Sequence, residues 1–269
     1  MGAITRDLQK PVSWTLLYAD DVMLASENKC ELEREVQAWC DRLERFELRL
    51  NVKKTEYLMT DFTESSFIKV NGIELPRTSV FKYLGSAVAS DGNQITEVNS
   101  RMSAAWSKWR SLTGVLCDRK IPEHLKLKIY RAVVWSVAMY GAECWPATKE
   151  VETRPSVMET NMLRWKAGVT RMDRIRNDAI RQKFGVAPIA EKMREARLRW
   201  YGHVLRGKED SVRKIGLNIE VIGMRPRGRP KQRLSDTLHM DLKVAGVHPD
   251  LALDRERWRR DTKIADPAT

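Results

Sequence analysis

Cysteine and histidine are scarce in this chain of 269 residues, four of each. Cys30, Cys40, Cys117 and Cys144 are widely spaced and form no Cys-x-x-Cys pair. That spacing argues against a structural zinc knuckle and a disulfide framework, and it suits a reducing compartment in which the thiols stay free and buried. His203, in Trp200-Tyr-Gly-His203, has no Cys or second His at ligand spacing. It and the equally isolated His124, His239 and His248 therefore read as hydrogen-bonded structural residues rather than metal ligands. Long apolar runs are missing too: none approaches the roughly 20 residues that span a bilayer. Residues 1–10 lack the apolar stretch of a secretory signal. The expectation is an intracellular protein, cytoplasmic or nuclear, with no membrane partner. Acidic residues are short in one part only. Residues 1–100 hold 12 Lys and Arg against 16 Asp and Glu, whereas 101–269 hold 36 against 20. The net charge of +12 thus comes from the second part, and a polyanionic partner such as nucleic acid fits it better than a merely soluble basic surface.

What is present reads as an α+β chain. Trp14–Tyr18 and Val22–Ala25 are short runs of strand formers around Ala19-Asp20-Asp21, the pattern of a tight hairpin with acids at its tip. Both flanks are apolar, which suits a central place in a sheet. Leu32, Val36, Trp39, Leu43 and Phe46 recur at helical spacing. Lys54–Thr60 and Val80–Val88 read as strands, the latter with Gly85 inside it. Asn71-Gly72, between Phe67–Val70 and Ile73–Leu75, is a hairpin signal, since both residues tolerate the positive φ of a type I′ turn. After Asn93 the period changes. Residues 94–116, 122–145, 156–170, 173–184 and 187–206 read as helices, with Pro122, Pro155 and Pro188 placed for first turns. In the first of these, Met102, Trp106 and Trp109 read as core rather than as stacking platforms, and Arg101, Lys108 and Arg110, on the opposite face, as free to track a polyanion backbone. Past Gly207 the chain reads as loose, with a last helix over 250–260. Three regions are expected: a strand-rich 1–93, a helical 94–206 and a basic, loosely structured 207–269.

Asp20-Asp21 is the chemistry-bearing pair. Neighbouring side chains on a flat strand point to opposite faces, so two adjacent carboxylates converge only at a turn. Held there, they suit a hard divalent cation such as Mg²⁺, which takes oxygen ligands. A solvated Asp-Asp turn is the plainer reading of the dipeptide alone, but strands on both sides fix the acids at one place.

The ordered set of motifs resembles one family. Leu17-Tyr-Ala-Asp-Asp-Val22 resembles the metal-binding hairpin in the palm of reverse transcriptases. Asn51-x-x-Lys54-Thr55 resembles the next palm motif, and Phe81-Lys-Tyr-Leu-Gly85 the primer-grip hairpin. Tyr140-Gly141-Ala-Glu-Cys-Trp145, Leu198-Arg-Trp-Tyr-Gly-His-Val204 and other tail segments resemble non-LTR retrotransposon (LINE-type) elements. The resemblance implies RNA-directed DNA polymerisation with two Mg²⁺ ions, an RNA template and a DNA primer or target. It implies a partial palm over 1–93, a helical thumb and connecting region over 94–206, and a C-terminal extension. Asp20 and Asp21 become metal ligands and catalytic residues. Tyr18, Lys82, Tyr83 and Gly85 become nucleic-acid contacts. Lys54 reads either as a helper near the leaving pyrophosphate or as a solvated lysine. The family's third metal-binding aspartate lies on an upstream strand, while here only Asp7 precedes Asp20 among the acids. The chain is thus expected to be a C-terminal fragment, inactive alone, with a non-catalytic nucleic-acid-binding protein as the rival. No endonuclease motif is visible, as expected where that task belongs to a separate domain. Arg227-Gly-Arg229-Pro230 resembles the core of an AT-hook, which lies in the minor groove, and also reads as a basic linker.

Overall fold

The computed structural model describes residues 3–11, 14–60, 67–219 and 232–267. Contacts divide the chain into two compact units, 1–96 and 97–269.

The first unit is built from hairpins and one helix. β1 (Thr15–Tyr18) pairs antiparallel with β2 (Asp21–Leu24) in the register Tyr18↔Asp21. Helix α1 (Lys29–Glu44) buries Trp39, Cys40 and Leu43. It stops before the expected Phe46, which is exposed. Glu47 takes φ 60° and the Leu48 N–H returns to the Leu43 carbonyl at 3.0 Å, a left-handed stop that uses up helix carbonyls. Three side chains on α1 hold the N-terminal segment: Arg42 pairs with Asp7 at 2.8 Å, and Lys10 pairs with Glu31 at 2.7 Å and also with Glu35.

β3 (Lys69–Val70) and β4 (Ile73–Glu74) form the expected hairpin, with Asn71 and Gly72 at φ 49° and 77°. β5 (Val80–Tyr83) and β6 (Ser86–Ala89) form a third hairpin where residue preferences suggested one continuous strand. Leu84 and Gly85, both at positive φ (48° and 81°), make its two-residue loop. The expected strand over 54–60 is reduced to a single bridge between Tyr57 and Arg77. The reason is local: the Asn51 carbonyl accepts from the Lys54 and Thr55 N–H groups and the Thr55 hydroxyl, closing a turn. The core of the unit joins α1 to this layer through Cys40, Tyr57, Ile68, Val70 and Leu75. Among the described residues every sheet has two strands, so β1 and β2 are not central in anything larger. Leu16, Leu17, Val22 and Leu24 are half-buried as a result.

The second unit is helical. α2 (Ile95–Leu116) buries Val98, Met102, Ala105 and Trp109. The expected helix over 122–145 runs without a break from Glu123 to Ala138, as α3 (Glu123–Ile129), a π-helical segment (Tyr130–Trp135) and α4 (Ser136–Ala138), and ends early where Gly141 at φ 74° turns the chain. α5 (Lys149–Ala167) starts earlier than the sequence suggested, because the Thr148 side chain caps it by accepting the Val151 N–H. Pro155 therefore lies inside it rather than in its first turn. α6 (Asn177–Lys183) and α7 (Ile189–Leu205) follow.

The expectation of a loose chain past Gly207 does not hold for 232–267. α8 (Val212–Leu217) is followed by α9 (Leu234–Ala245) and α10 (Arg255–Asp261). Leu242 and Trp258 from these helices share a core with Leu198 of α7. α10 is separated from the turn over 249–253 because Asp254 caps it, accepting the Glu256 and Arg257 N–H groups. Two contacts fix α7: the Trp258 indole N–H donates to the Leu198 carbonyl at 2.9 Å, and fully buried Arg197 clamps Asp241 at 2.6 and 3.1 Å. His203 faces Arg213 rather than a metal ligand set. Cys40 alone of the four thiols is buried.

Candidate active site: the acidic hairpin

The β1–β2 hairpin turns in two residues, Ala19 and Asp20. Ala19 takes φ 53°, the sign a primed hairpin turn needs at its first loop position. An alanine there costs of order 1–3 kcal/mol of backbone strain, so the turn holds its shape against a local preference. Tyr18, Asp20 and Asp21 are all exposed at the tip, Tyr18 to 65%. Neither carboxylate forms an ion pair or side-chain hydrogen bond with a described residue. Two adjacent acids without a protein cation form a locally unneutralised site, which a bound cation would relieve.

The Tyr83 hydroxyl is held above its ordinary pKa, first by burial and second by the charge of Asp21. Gly85, next to it, takes a positive φ that favours glycine. Lys82 is exposed and forms no ion pair with Asp20 or Asp21. Lys54 is likewise exposed, in the turn after Asn51, and unpaired with them. Asp7 is engaged by Arg42, whose hydrogen bond and charge keep its carboxyl below the usual aspartate range. Among the described residues no cluster of three metal-ligating side chains exists. Asp20 and Asp21 can hold one hard cation together with phosphate oxygens. They do not fit a two-metal centre, which needs further shared ligands. Arg227 and Arg229 lie outside the described residues.

Residues 1–88 match the family model described as reverse transcriptase (RNA-dependent DNA polymerase). The match supports a reverse-transcriptase relationship for residues 1–88. It covers the acidic hairpin, α1, the Asn-Gly hairpin and β5. No curated protein and no solved structure gave a match. A reverse-transcriptase member binds nucleic acid in general, which agrees with the positive charge of the remaining residues. No helix among the described residues is long and apolar enough to cross a membrane.

Proposed function

We propose that this chain is the C-terminal part of a reverse transcriptase of the non-LTR retrotransposon (LINE) type. In this reading 1–93 is part of the palm and 94–206 the thumb and connecting region. The observation that carries it is the exposed Asp20-Asp21 pair on a two-residue hairpin turn inside the matched segment. In the assembled polymerase, Asp20 and Asp21 would hold Mg²⁺, which supplies charge neutralisation at the transferring phosphate. Tyr18, Lys82, Tyr83 and Gly85 would contact primer and template, and Lys54 would serve as a helper near the leaving pyrophosphate. With no third metal-binding carboxylate beside Asp20 and Asp21 among the described residues, the chain is expected not to extend a primer by itself.

Two measurements test this. Mn²⁺ titration followed by paramagnetic resonance should find a weak site that is lost in Asp20→Asn and in Asp21→Asn. Binding that survives both substitutions removes the metal role of the hairpin. Primer extension on an RNA template with Mg²⁺ should give no product. Synthesis that disappears in Asp20→Ala would show a complete centre and overturn the claim of inactivity.

A second reading, a non-catalytic nucleic-acid-binding protein, is favoured by the net of +16 over 101–269. Such binding weakens steeply with salt through counterion release. Affinity for labelled duplex that stays flat between two salt concentrations would remove this reading.

A further inference from the structure

The geometry points to a binding groove for unpaired nucleobases between α2 and α5, with Trp165 and Trp106 as stacking faces and Arg110 as the phosphate contact. The groove, of about 410 Å³, is lined by Ser103, Trp106, Trp109, Arg110, Thr113 and Trp165. That volume lies within the range of pockets that take a small organic ring system.

The three tryptophans have different parts. Trp109 is buried and meets the Tyr130 ring edge-on at 5.9 Å, so it forms a fixed floor. Trp106 is half-buried on the shoulder of α2, beside the core face. Trp165, near the end of α5, is 65% exposed, an unusual state for the largest apolar side chain. Neither Trp106 nor Trp165 packs against another aromatic ring among the described residues. Trp165 therefore presents an open π face and Trp106 a partly open one on the groove, the kind of surface on which bases of single strands stack regardless of sequence.

The charge around the groove selects the occupant. From Val98 to Cys117 no acidic residue occurs. From Thr160 to Asn177 the one acid is Asp173, and it is occupied, accepting from the Thr170 N–H at 2.6 Å and hydroxyl at 2.9 Å. Arg110 is exposed and makes no ion pair or hydrogen bond with a described residue. Following Trp165, the loop over 168–176 is tied back to α5 by Arg164, which donates to the Thr170 and Ile175 carbonyls. It exposes Arg171, Arg174 and Arg176, whose side chains are equally without partners among the described residues. Free guanidinium groups beside open indole rings, with Glu123, the acid that pairs with Lys166 beside Trp165, already held by Lys126 and Lys166, match a polyanion that offers planar rings. Single-stranded nucleic acid has both. Duplex hides its ring faces in its own stack, and an acidic peptide has the charge without the rings. This site does not depend on the metal role of the hairpin and is tested without it.

The test uses the full chain and fluorescence anisotropy with a short labelled single-stranded DNA of mixed sequence, beside the duplex of the same sequence. Trp165→Ala, at an exposed position, is expected to weaken single-strand binding by about tenfold. Duplex binding should stay within about twofold, because it is held through the backbone. Trp165→Phe should restore most of the loss. Arg110→Gln should lower the slope of log affinity against log salt by about one. Unchanged single-strand affinity in Trp165→Ala would overturn the proposal. So would an equal loss on strand and duplex, or competition by polyglutamate as strong as that by unlabelled single strand.

Discussion

Among the described residues of the unit spanning 1–96 each strand has a single partner, whereas the unit spanning 97–269 is mostly helix, whose backbone bonds are made within each element. The difference reaches the side chains. The first unit exposes Tyr18, Phe67 and Ile73 on or beside its hairpins and buries a compact set around Cys40 and Ile68. The second encloses Trp109, Met162, Met193 and Trp258 and also buries whole charged groups, Arg197, Glu97 and Glu159. A two-stranded hairpin is marginal in water by itself, and its stability depends on what covers it. The chemistry-bearing acids thus stand on the less self-sufficient part, and the positive charge on the more self-sufficient one.

The sharpest way to break the comparison is to attack the second unit at its buried charge. Asp241→Ala leaves Arg197 fully buried with only Glu152 at 3.6 Å as a counter-charge. Removing one partner of such a pair costs about 3–5 kcal/mol. Thermal unfolding followed by circular dichroism should show a large drop. A shift near zero would mean that this clamp is no more important than a surface pair.

A smaller loss is expected at Gly202. A Cβ there would lie 2.3 Å from the Trp258 Nε1, an approach that requires the indole to move and its bond to the Leu198 carbonyl to lengthen. Overpacking of this kind costs about 1–3 kcal/mol, more than the gain of alanine over glycine in a helix. Gly202→Ala should therefore lower the melting temperature, with a changed near-ultraviolet signal from Trp258. A stabilised variant would show that the helix–tryptophan approach is looser than described.

The first unit should respond in the opposite direction. Leu84 holds φ 48° in the β5–β6 turn, where glycine carries no steric penalty. Leu84→Gly should slow hydrogen exchange at Val80–Tyr83, by an amount equivalent to about 1 kcal/mol. Faster exchange would mean that the leucine side chain contributes more than its backbone strain costs.

The smallest effect is a pH dependence at the Asp7–Arg42 contact. The Arg42 hydrogen bond lowers the Asp7 pKa below its ordinary 3.8. A lowered folded-state pKa means stability that is present above that value and lost as pH falls through the folded one. Asp7→Asn should therefore be slightly less stable than the parent near neutral pH, the difference closing below pH 3.8. A difference that persists in acid would point to packing rather than charge.

Local signals were legible in the sequence wherever backbone preference and pattern agree. Asn71-Gly72 announced a type I′ turn, and Tyr18-Ala-Asp-Asp announced a hairpin with two acids at its tip, because both depend on residues a few positions apart. The Leu84-Gly85 turn escaped residue-by-residue reading, since leucine at positive φ is not a turn signal. Asn51 closed a turn where Lys54–Thr60 looked like a strand. In the helical unit, Arg101 read as free for a polyanion. It pairs with Glu97 at 2.6 Å and lies over the Tyr140 ring at 4.3 Å. The bland look of 232–267 was equally misleading. Its helices need Trp258 against Gly202 and Asp241 against Arg197, partners that are 56 and 44 positions apart.

The sequence by itself determined the acidic turn, the Asn-Gly turn, the change from strand to helix near Asn93 and the separation of charge between the two parts. Each is fixed by short-range sterics or by composition. Tertiary structure alone decided that Asp7 is taken by Arg42, and that Trp109 is buried while Trp165 of the same groove stays open. Those outcomes follow from which surfaces meet across long stretches of chain. Periodicity says which face of a helix is apolar, but not which neighbour covers it or leaves it bare.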